Sequence, residues 1–374
     1  MAKTIQELLE IAVKEDASDL HITTYVPPRI RVHGSLKSID HPPLTPSETK
    51  QIIYSILSDR QKKQFEEKLE LDFSFGLKDL GRFRANVFMQ KGAVAGAFRR
   101  FLPTMWSFAQ LGIPQRIAQL CYLPRGLVLV TGPTGCGKST SLACMIDHIN
   151  HERSVHIVTI EDPIEYFFVP KRATINQREL FVDTLSYNNA LRSVLREDPD
   201  VVLVGEMRDY ETVEATLRVA ETGHLTFSTL HTNSAAESIS RIIDIFPAQY
   251  QSQVRIMLSM SLEAVLTQAL LPRSDGKGRV LAMEILIPNS AIRNLIRENK
   301  IHQVYSNMQM GTEKSGMQTF NQSLASLYFK GLISLDTAMS VTSFPEELTD
   351  IIQRREGIRR APVGASSGSV NPNK

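Results

Sequence analysis

Leu127-Val-Leu-Val-Thr131 runs without a break into Gly132-Pro133-Thr134-Gly135-Cys136-Gly137-Lys138-Ser139-Thr140. The apolar run has the composition of a strand buried on both faces in a parallel sheet. The glycine-rich stretch after it matches the phosphate-binding loop pattern in full. Backbone N–H groups must converge on phosphate oxygens there, so Gly135 and Gly137 keep side chains out of the way. The candidate nucleotide contacts are thus the loop residues Gly132, Pro133, Thr134, Gly135, Cys136, Gly137, Lys138, Ser139 and Thr140. Lys138 is placed to reach the β- and γ-phosphates, and the Ser139 hydroxyl to hold Mg²⁺. The helix expected over residues 140–150, apolar at Leu142, Ala143, Ile146 and Ile149, points its positive N-terminal dipole at the same anion. A glycine-rich turn can match by chance, but a strand before and a helix after weigh against that. The stretch implies a site for a nucleoside triphosphate with Mg²⁺.

At 374 residues the chain is long for one domain and fits two globular units with a tail. Its 42% of hydrophobic residues allows sizeable cores. No apolar stretch approaches the ~18 residues of a membrane-spanning helix, and the N-terminus lacks a signal-peptide run, so a cytoplasmic protein is expected. A formal net charge of +2 argues against a large nucleic-acid footprint. Cys121, Cys136 and Cys144 are scattered without a Cys-x-x-Cys pair, which argues against zinc, and Cys136 inside the loop fits a reducing compartment. The nine histidines show no metal-binding spacing.

Residues 1–101 read as a small α+β domain. Thr4-Ile-Gln-Glu7 is a capping box ahead of a helical face of Ile5, Leu8, Leu9, Ala12 and Val13. Strand-like pieces come next over 20–23 and 29–33, then a second helix opening at Thr45-Pro-Ser-Glu48, then strands over 71–77, 82–90 and 93–101. In Arg82-Phe-Arg-Ala-Asn-Val-Phe88, Phe83, Ala85 and Val87 share one face while Arg82, Arg84 and Asn86 share the other. Arg99 and Arg100 lie on a neighbouring strand. Two readings of these four arginines stay open: a solvated outer face, or contacts to nucleotide phosphates. Residues 102–114 read as an interdomain linker with Trp106 as an anchor.

Strand–helix alternation then marks a parallel α/β sheet. Strands are expected over 127–131, 154–160, 201–205 and 225–229, with helices over 140–150, 185–196, 210–222 and 234–245. A long helix is expected from Pro247 to about Leu271, then an Asp275-Gly276 turn and a strand over 279–287. Short helices fill the remainder to about 356, and 357–374 reads as a disordered tail. Val201-Val-Leu-Val-Gly-Glu206 is an apolar strand ending in a carboxylate. It is expected next to the loop strand, where Glu206 would serve Mg²⁺ or the attacking water. Ile160-Glu161-Asp162-Pro163-Ile164-Glu165 sets three acids at the carboxyl end of another strand, where ligands bind in open α/β sheets. Hydrolysis needs a carboxylate to orient or deprotonate water. Glu165 and Glu206 both qualify, with Glu161 in the same cluster, and spacing does not rank them. His224 and His231 bracket a third apolar strand; His224 is counted among the nucleotide contacts, and His231 falls on the nucleotide side, able to contact a γ-phosphate.

Together these boxes resemble the type II/IV secretion ATPases. The resemblance rests on the loop 132–139, the acidic box 160–165, Leu203-Val-Gly-Glu206-Met-Arg-Asp209 and the histidine box 224–232. Ser18-Asp-Leu-His21 and Arg82-Phe-Arg84 match too. Ala291-Ile-Arg-Asn-Leu-Ile-Arg-Glu298 is similar to the signature of the pilus-retraction branch. The resemblance implies an N-terminal PAS-like domain, a RecA-like ATPase domain over 115–356, ATP as the nucleotide, and assembly as a homo-hexamer. It implies Glu165 as general base, Glu206 as holder of Mg²⁺ and water, and Arg82, Arg84 and Arg99 on nucleotide phosphates. It further implies work at the inner membrane against a pilus platform protein, with no nucleic acid involved. Arg100 and Cys136 depart from the family pattern, neither at a ligand-bearing atom. Rival readings are an accessory retraction paralogue and an assembly or type II secretion ATPase, whose Cys-x-x-Cys doublet is absent here. A RecA-like DNA motor and a non-enzymatic scaffold stand further off.

Overall fold

The computed structural model describes residues 3–32, 34–78, 80–101, 105–310 and 316–360. Part of the expected linker, residues 102–104, and most of the expected tail, residues 361–374, lie outside the described residues. The chain divides into two compact units. One comprises Met1–Met105 with Val158–Lys171 and Ile175–Ala190, and the other Trp106–Ile157, Arg172–Thr174 and Leu191–Lys374.

The first unit begins with α1 (Ile5–Lys14), whose N-cap Thr4 and Glu7 form the expected capping box. Next come β1 (Asp19–Ile22), β2 (Arg29–Val32), β3 (Ser35–Ser38) and α2 (Pro46–Tyr54). The unit continues with α3 (Asp59–Lys68), β4 (Glu70–Leu77), β5 (Gly81–Gln90) and β6 (Ala93–Arg100). The six strands form one antiparallel sheet in the order β3-β2-β1-β6-β5-β4. Period-two alternation turns Leu20, Ile30, Phe83, Ala85, Val87 and Phe98 into a core with Leu8, Leu9, Ile53 and Phe65 of the three helices. The opposite sheet face keeps Arg82, Arg84 and Arg99, whereas Arg100, paired with Phe83, falls on the core-side face at the strand end. The helix α3 has no apolar stripe beyond Phe65, which is why periodicity does not announce it.

The second sheet carries the phosphate loop. After α4 (Phe108–Leu111) and a 3-10 helix over Gln115–Tyr122, the elements are β7 (Gly126–Thr131), α5 (Lys138–Glu152), β8 (His156–Glu161), β9 (Thr174–Glu179) and α6 (Tyr187–Val194). They continue as β10 (Val201–Val204), α7 (Tyr210–Glu221), β11 (Leu225–Leu230), α8 (Ala235–Asp244), α9 (Ala248–Ser261), β12 (Leu262–Pro272) and β13 (Arg279–Leu286). The chain closes with α10 (Ser290–Arg297), α11 (Val304–Met310), α12 (Phe320–Phe329), α13 (Leu335–Val341) and α14 (Pro345–Arg360). Strand order is β13-β12-β7-β11-β10-β8-β9. All six residues of β7 are buried, as the apolar run required. The α+β and α/β classes expected for the two parts are both present.

Two local expectations are corrected, and one strand is not foreseen from the sequence. The helix expected from Pro247 to Leu271 stops at Ser261. Leu262–Pro272 is a strand, parallel to β7 and antiparallel to β13. Its Leu, Ala, Glu and Gln favour helix and no Gly or Pro breaks it from α9, but pairing on both sides buries it, and burial overrides propensity. The strand ending toward Glu206 is not next to the loop strand, because β11 is paired with both β7 and β10. Finally, β9 falls in a segment whose Thr-Ile-Asn-Gln-Arg-Glu sequence has no apolar face to mark it.

Candidate functional site

In the second unit the loop closes on itself through its glycines. Gly132 has φ +135, and a Cβ there would stand 2.3 Å from the Gln268 carbonyl oxygen, so only glycine fits. Gly137 has φ +92 and is the N-cap of α5 without a side-chain cap bond, and a helix start of this kind suits an anion. Ser139 is the second residue of α5 and Thr140 the third. Cys136 is buried and its N–H donates to Pro133 O at 3.3 Å, the turn that shapes the loop.

Lys138 Nζ donates to Gly132 O at 2.9 Å, to Pro133 O at 3.2 Å and to His231 Nδ1 at 3.2 Å. An ammonium has no acceptor, so Nδ1 accepts and the ring proton sits on Nε2. The protonated Nε2 lies 3.0 Å from Glu206 Oε1, and Glu206 Oε2 meets Arg208 Nη2 at 2.8 Å. The sequence pattern marked Lys138, His231 and Glu206 separately, and the structure joins them in one row of close polar contacts that ends on Arg208. The backbone explains the placement. Thr229 Oγ1 donates to Gly205 O at 2.7 Å and Met207 N–H to Thr229 O at 3.2 Å. The Asp209 side chain then caps α7 by accepting from Thr212 N–H at 2.8 Å. The turn that carries Glu206 and Arg208 is thus tied on one side to the strand that carries His231 and on the other to a helix start.

His224 does not join this row. It precedes β11, beside the start of β7, where its carbonyl accepts from Gly126 N–H at 3.1 Å. Its Nδ1 lies 3.0 Å from Val219 O and 3.2 Å from Thr222 Oγ1, at the end of α7. This is the opposite strand end from the loop.

The acidic box and the arginines belong to the first unit. Arg82 bonds Glu179 and Ser74 and lies 4.4 Å over the Phe167 ring. Burial pulls its pKa down, opposed by the nearby Glu179, Glu161 and Asp183 charges. Arg84 grips Asp72 through Nε at 3.2 Å to both oxygens, and that hydrogen bond raises its pKa, with Asp162 and Glu165 adding smaller pulls. Arg99 faces Arg84 across the β5–β6 ladder and donates from Nε to Asp19 Oδ1 at 2.9 Å. Arg100 lies 3.8 Å from Asp16. Each arginine therefore has a carboxylate partner that no sequence pattern names. Any anionic ligand would have to compete with those partners.

Glu165 shares with Arg82, Tyr166 and Phe167 the wall of a cavity of about 450 Å³. Glu161 accepts from Thr159 Oγ1 at 2.7 Å and from Gln177 Nε2 at 3.4 Å. Burial raises its pKa to about 7, those bonds opposing and the Glu165 charge assisting.

Among the described residues no group of three His, Cys, Asp or Glu could hold a metal ion by itself. Mg²⁺ needs no such cage, since it keeps several waters and leans on substrate phosphates. Ser139 and Glu206 supply a hydroxyl and a carboxylate, oxygen donors of the kind that Mg²⁺ prefers. No helix among the described residues is long and apolar enough to cross a membrane.

Comparison with known proteins places the chain in a family. Residues 1–337 match the family model described as "Type II/IV secretion system protein". The chain is 49% identical over 342 residues to the type IV pilus retraction ATPase PilT of Pseudomonas aeruginosa, covering 91% of this chain and 99% of that one. It is 38% identical over 348 residues to the type IV pilus ATPase PilU of the same organism, covering 93% and 91%. A crystal structure of the pilus retraction motor PilT with bound ADP superposes with a TM-score of 0.88 at 53% identity, covering 93% of this chain and all of that one. The chain belongs to the type II/IV secretion system protein family of ATPases.

Proposed function

We propose that this chain hydrolyses ATP to drive retraction of a type IV pilus, working as a homo-hexamer on the pilus machine at the cytoplasmic face of the inner membrane. The observation that carries the reading is the row Lys138–His231–Glu206, built on the loop of a chain nearly half identical to a retraction ATPase. The greater identity to PilT than to PilU favours the retraction motor over the accessory paralogue.

ATP supplies, when bound, the phosphoanhydride whose cleavage is coupled to movement. Lys138 and the N–H groups at the start of α5 would hold the β- and γ-phosphates, while Ser139 and Glu206 would hold Mg²⁺. Glu165 is assigned as the base that orients the attacking water, with Glu161 as its alternative. Arg82, Arg84 and Arg99 would serve phosphate oxygens by exchanging their present carboxylate partners. His224 is left out, since it lies at the far strand end. His231 links the two halves of the chemistry: whatever Lys138 donates to changes what Nδ1 receives, and Nε2 passes that change to Glu206. A ring whose subunits close in turn could then convert hydrolysis into stepwise withdrawal of a helical fibre.

The test pairs a gene deletion with complementation. Deletion should leave cells with excess surface pili, and Lys138→Ala or Glu206→Gln should fail to restore retraction while the purified proteins fold but turn over ATP at least about a hundredfold more slowly. A bald deletion strain would point instead to pilus assembly. Normal turnover by folded Lys138→Ala would overturn the ATP site.

A further inference from the structure

Two adjacent residues of β12 hold the phosphate loop at both ends. Thr267 lies in register with Thr131, and their hydroxyl oxygens are 2.8 Å apart, fixing the residue just before the loop. The carbonyl of Gln268 packs so closely on Gly132 that no Cβ could fit between them. The side chain of the same Gln268 reaches across to α5 and donates from Nε2 to Ser141 Oγ at 2.6 Å. Ser141 lies three residues beyond Lys138 and its N–H donates to Gly137 O at 3.0 Å. One residue therefore touches the first residue of the loop through its backbone and the helix that ends the loop through its side chain.

The composition of the position is informative. Gln268 is 1% exposed, and its Oε1 has no hydrogen-bond partner among the described residues. Its neighbours Leu266 and Leu271 are apolar and equally hidden. An amide with an unpaired carbonyl costs stability at a site where leucine would pack at no such cost. Packing does not explain the glutamine, but its bond to Ser141 does.

We propose that Gln268 is a positioning residue for nucleotide binding: it fixes the spacing between Gly132 and Ser141, and so holds the loop N–H groups and Lys138 in the geometry that grips phosphate. The effect is on preorganisation, so it should appear in affinity before it appears in chemistry. The proposal rests on the reading of residues 132–140 as the nucleotide site.

The experiment is a double-mutant cycle on the full-length protein with Gln268→Leu, Ser141→Ala and the double variant, using ADP as probe. Each single variant should raise the ADP Kd and the ATP KM by about tenfold, with kcat within about twofold. Melting should hardly fall in Gln268→Leu and fall by only a few degrees in Ser141→Ala, which strands the buried Nε2. The double variant should be no worse than either single one, because both remove the same bond. Gln268→Asn, whose amide is too short to reach Ser141, should behave like Gln268→Leu. Parent-like ADP affinity in both single variants, or effects that multiply in the double, would overturn the proposal. So would a loss of affinity that merely tracks a large fall in melting temperature in the Ser141→Ala variant. Lys138→Ala serves as the control. If it too kept parent ADP affinity, the site assignment itself would fail. If Lys138→Ala lost affinity and Gln268→Leu kept it, only the positioning role would.

Discussion

Glu161 offers a test whose sign and size are both set by its surroundings. Its pKa is raised to about 7, chiefly by burial, whereas in the unfolded chain it should titrate near ~4.3. As pH rises, the unfolded chain gives up this proton first. Between about 4.3 and 7 the folded protein holds more protons, so this group makes stability fall with rising pH, and the loss is complete above the folded value. From pH 5 to pH 8 the linkage amounts to about 2–3 kcal/mol. Glu161→Gln cannot titrate. Its amide also sets an N–H group toward the Glu165 N–H, which now bonds the carboxyl, so the variant carries a constant stability offset of its own at every pH. The slope is free of that offset, and other titrating groups, including the buried Glu284, are common to both proteins. Urea unfolding of parent and variant at pH 5, 6, 7 and 8 should show the variant gaining on the parent by a midpoint shift of about 1 M across the range. Two curves that stay parallel with pH would refute the buried-carboxyl argument. They would also remove the case for Glu161 as a base poised near neutrality.

Two further perturbations separate ligand contacts from scaffold. Arg84→Ala and Arg99→Ala break exposed ion pairs to Asp72 and Asp19, worth at most about 1 kcal/mol each, so melting should hardly move. If these arginines serve nucleotide phosphate, ATP turnover should still fall about tenfold or more, and unchanged turnover would make the arginine face a solvated surface. In the Ala291–Glu298 segment, Arg293 bonds Ser259 O at 3.0 Å, Met260 O at 3.2 Å and Glu263 at 3.0 Å, capping the end of α9. Arg293→Ala should therefore destabilise by about 1–2 kcal/mol, and exposed Arg297→Ala by less than about 0.5 kcal/mol. Equal urea midpoints would refute that difference. Arg297→Ala combined with Asn294→Ala is then the cleaner probe of retraction, expected to give piliated, non-twitching cells with ATP turnover retained.

The parts of this molecule that sequence reveals are those whose physics is local. The phosphate loop is legible because a turn that must aim successive N–H groups at one anion constrains consecutive residues. The arginine face of β5 is legible because alternation is a property of one strand. Ile292 and Ile296, four residues apart, share the buried side of α10 as helical spacing requires. What stays hidden depends on which strands become neighbours. Glu179 answers Arg82 from a strand 97 residues away, and that strand, β9, has no apolar face. Gln268 lies in a stretch that reads as helix until β7 and β13 close on it. The same holds for β11, whose place between the loop strand and the Glu206 strand lets one histidine touch both Lys138 and Glu206. One sequence signal does survive for such residues. A glutamine among Leu266, Leu270 and Leu271 violates whichever apolar pattern is assumed for its segment. A buried polar group is retained only where a partner offsets its desolvation, so the violation itself points to a bond that the local sequence cannot show.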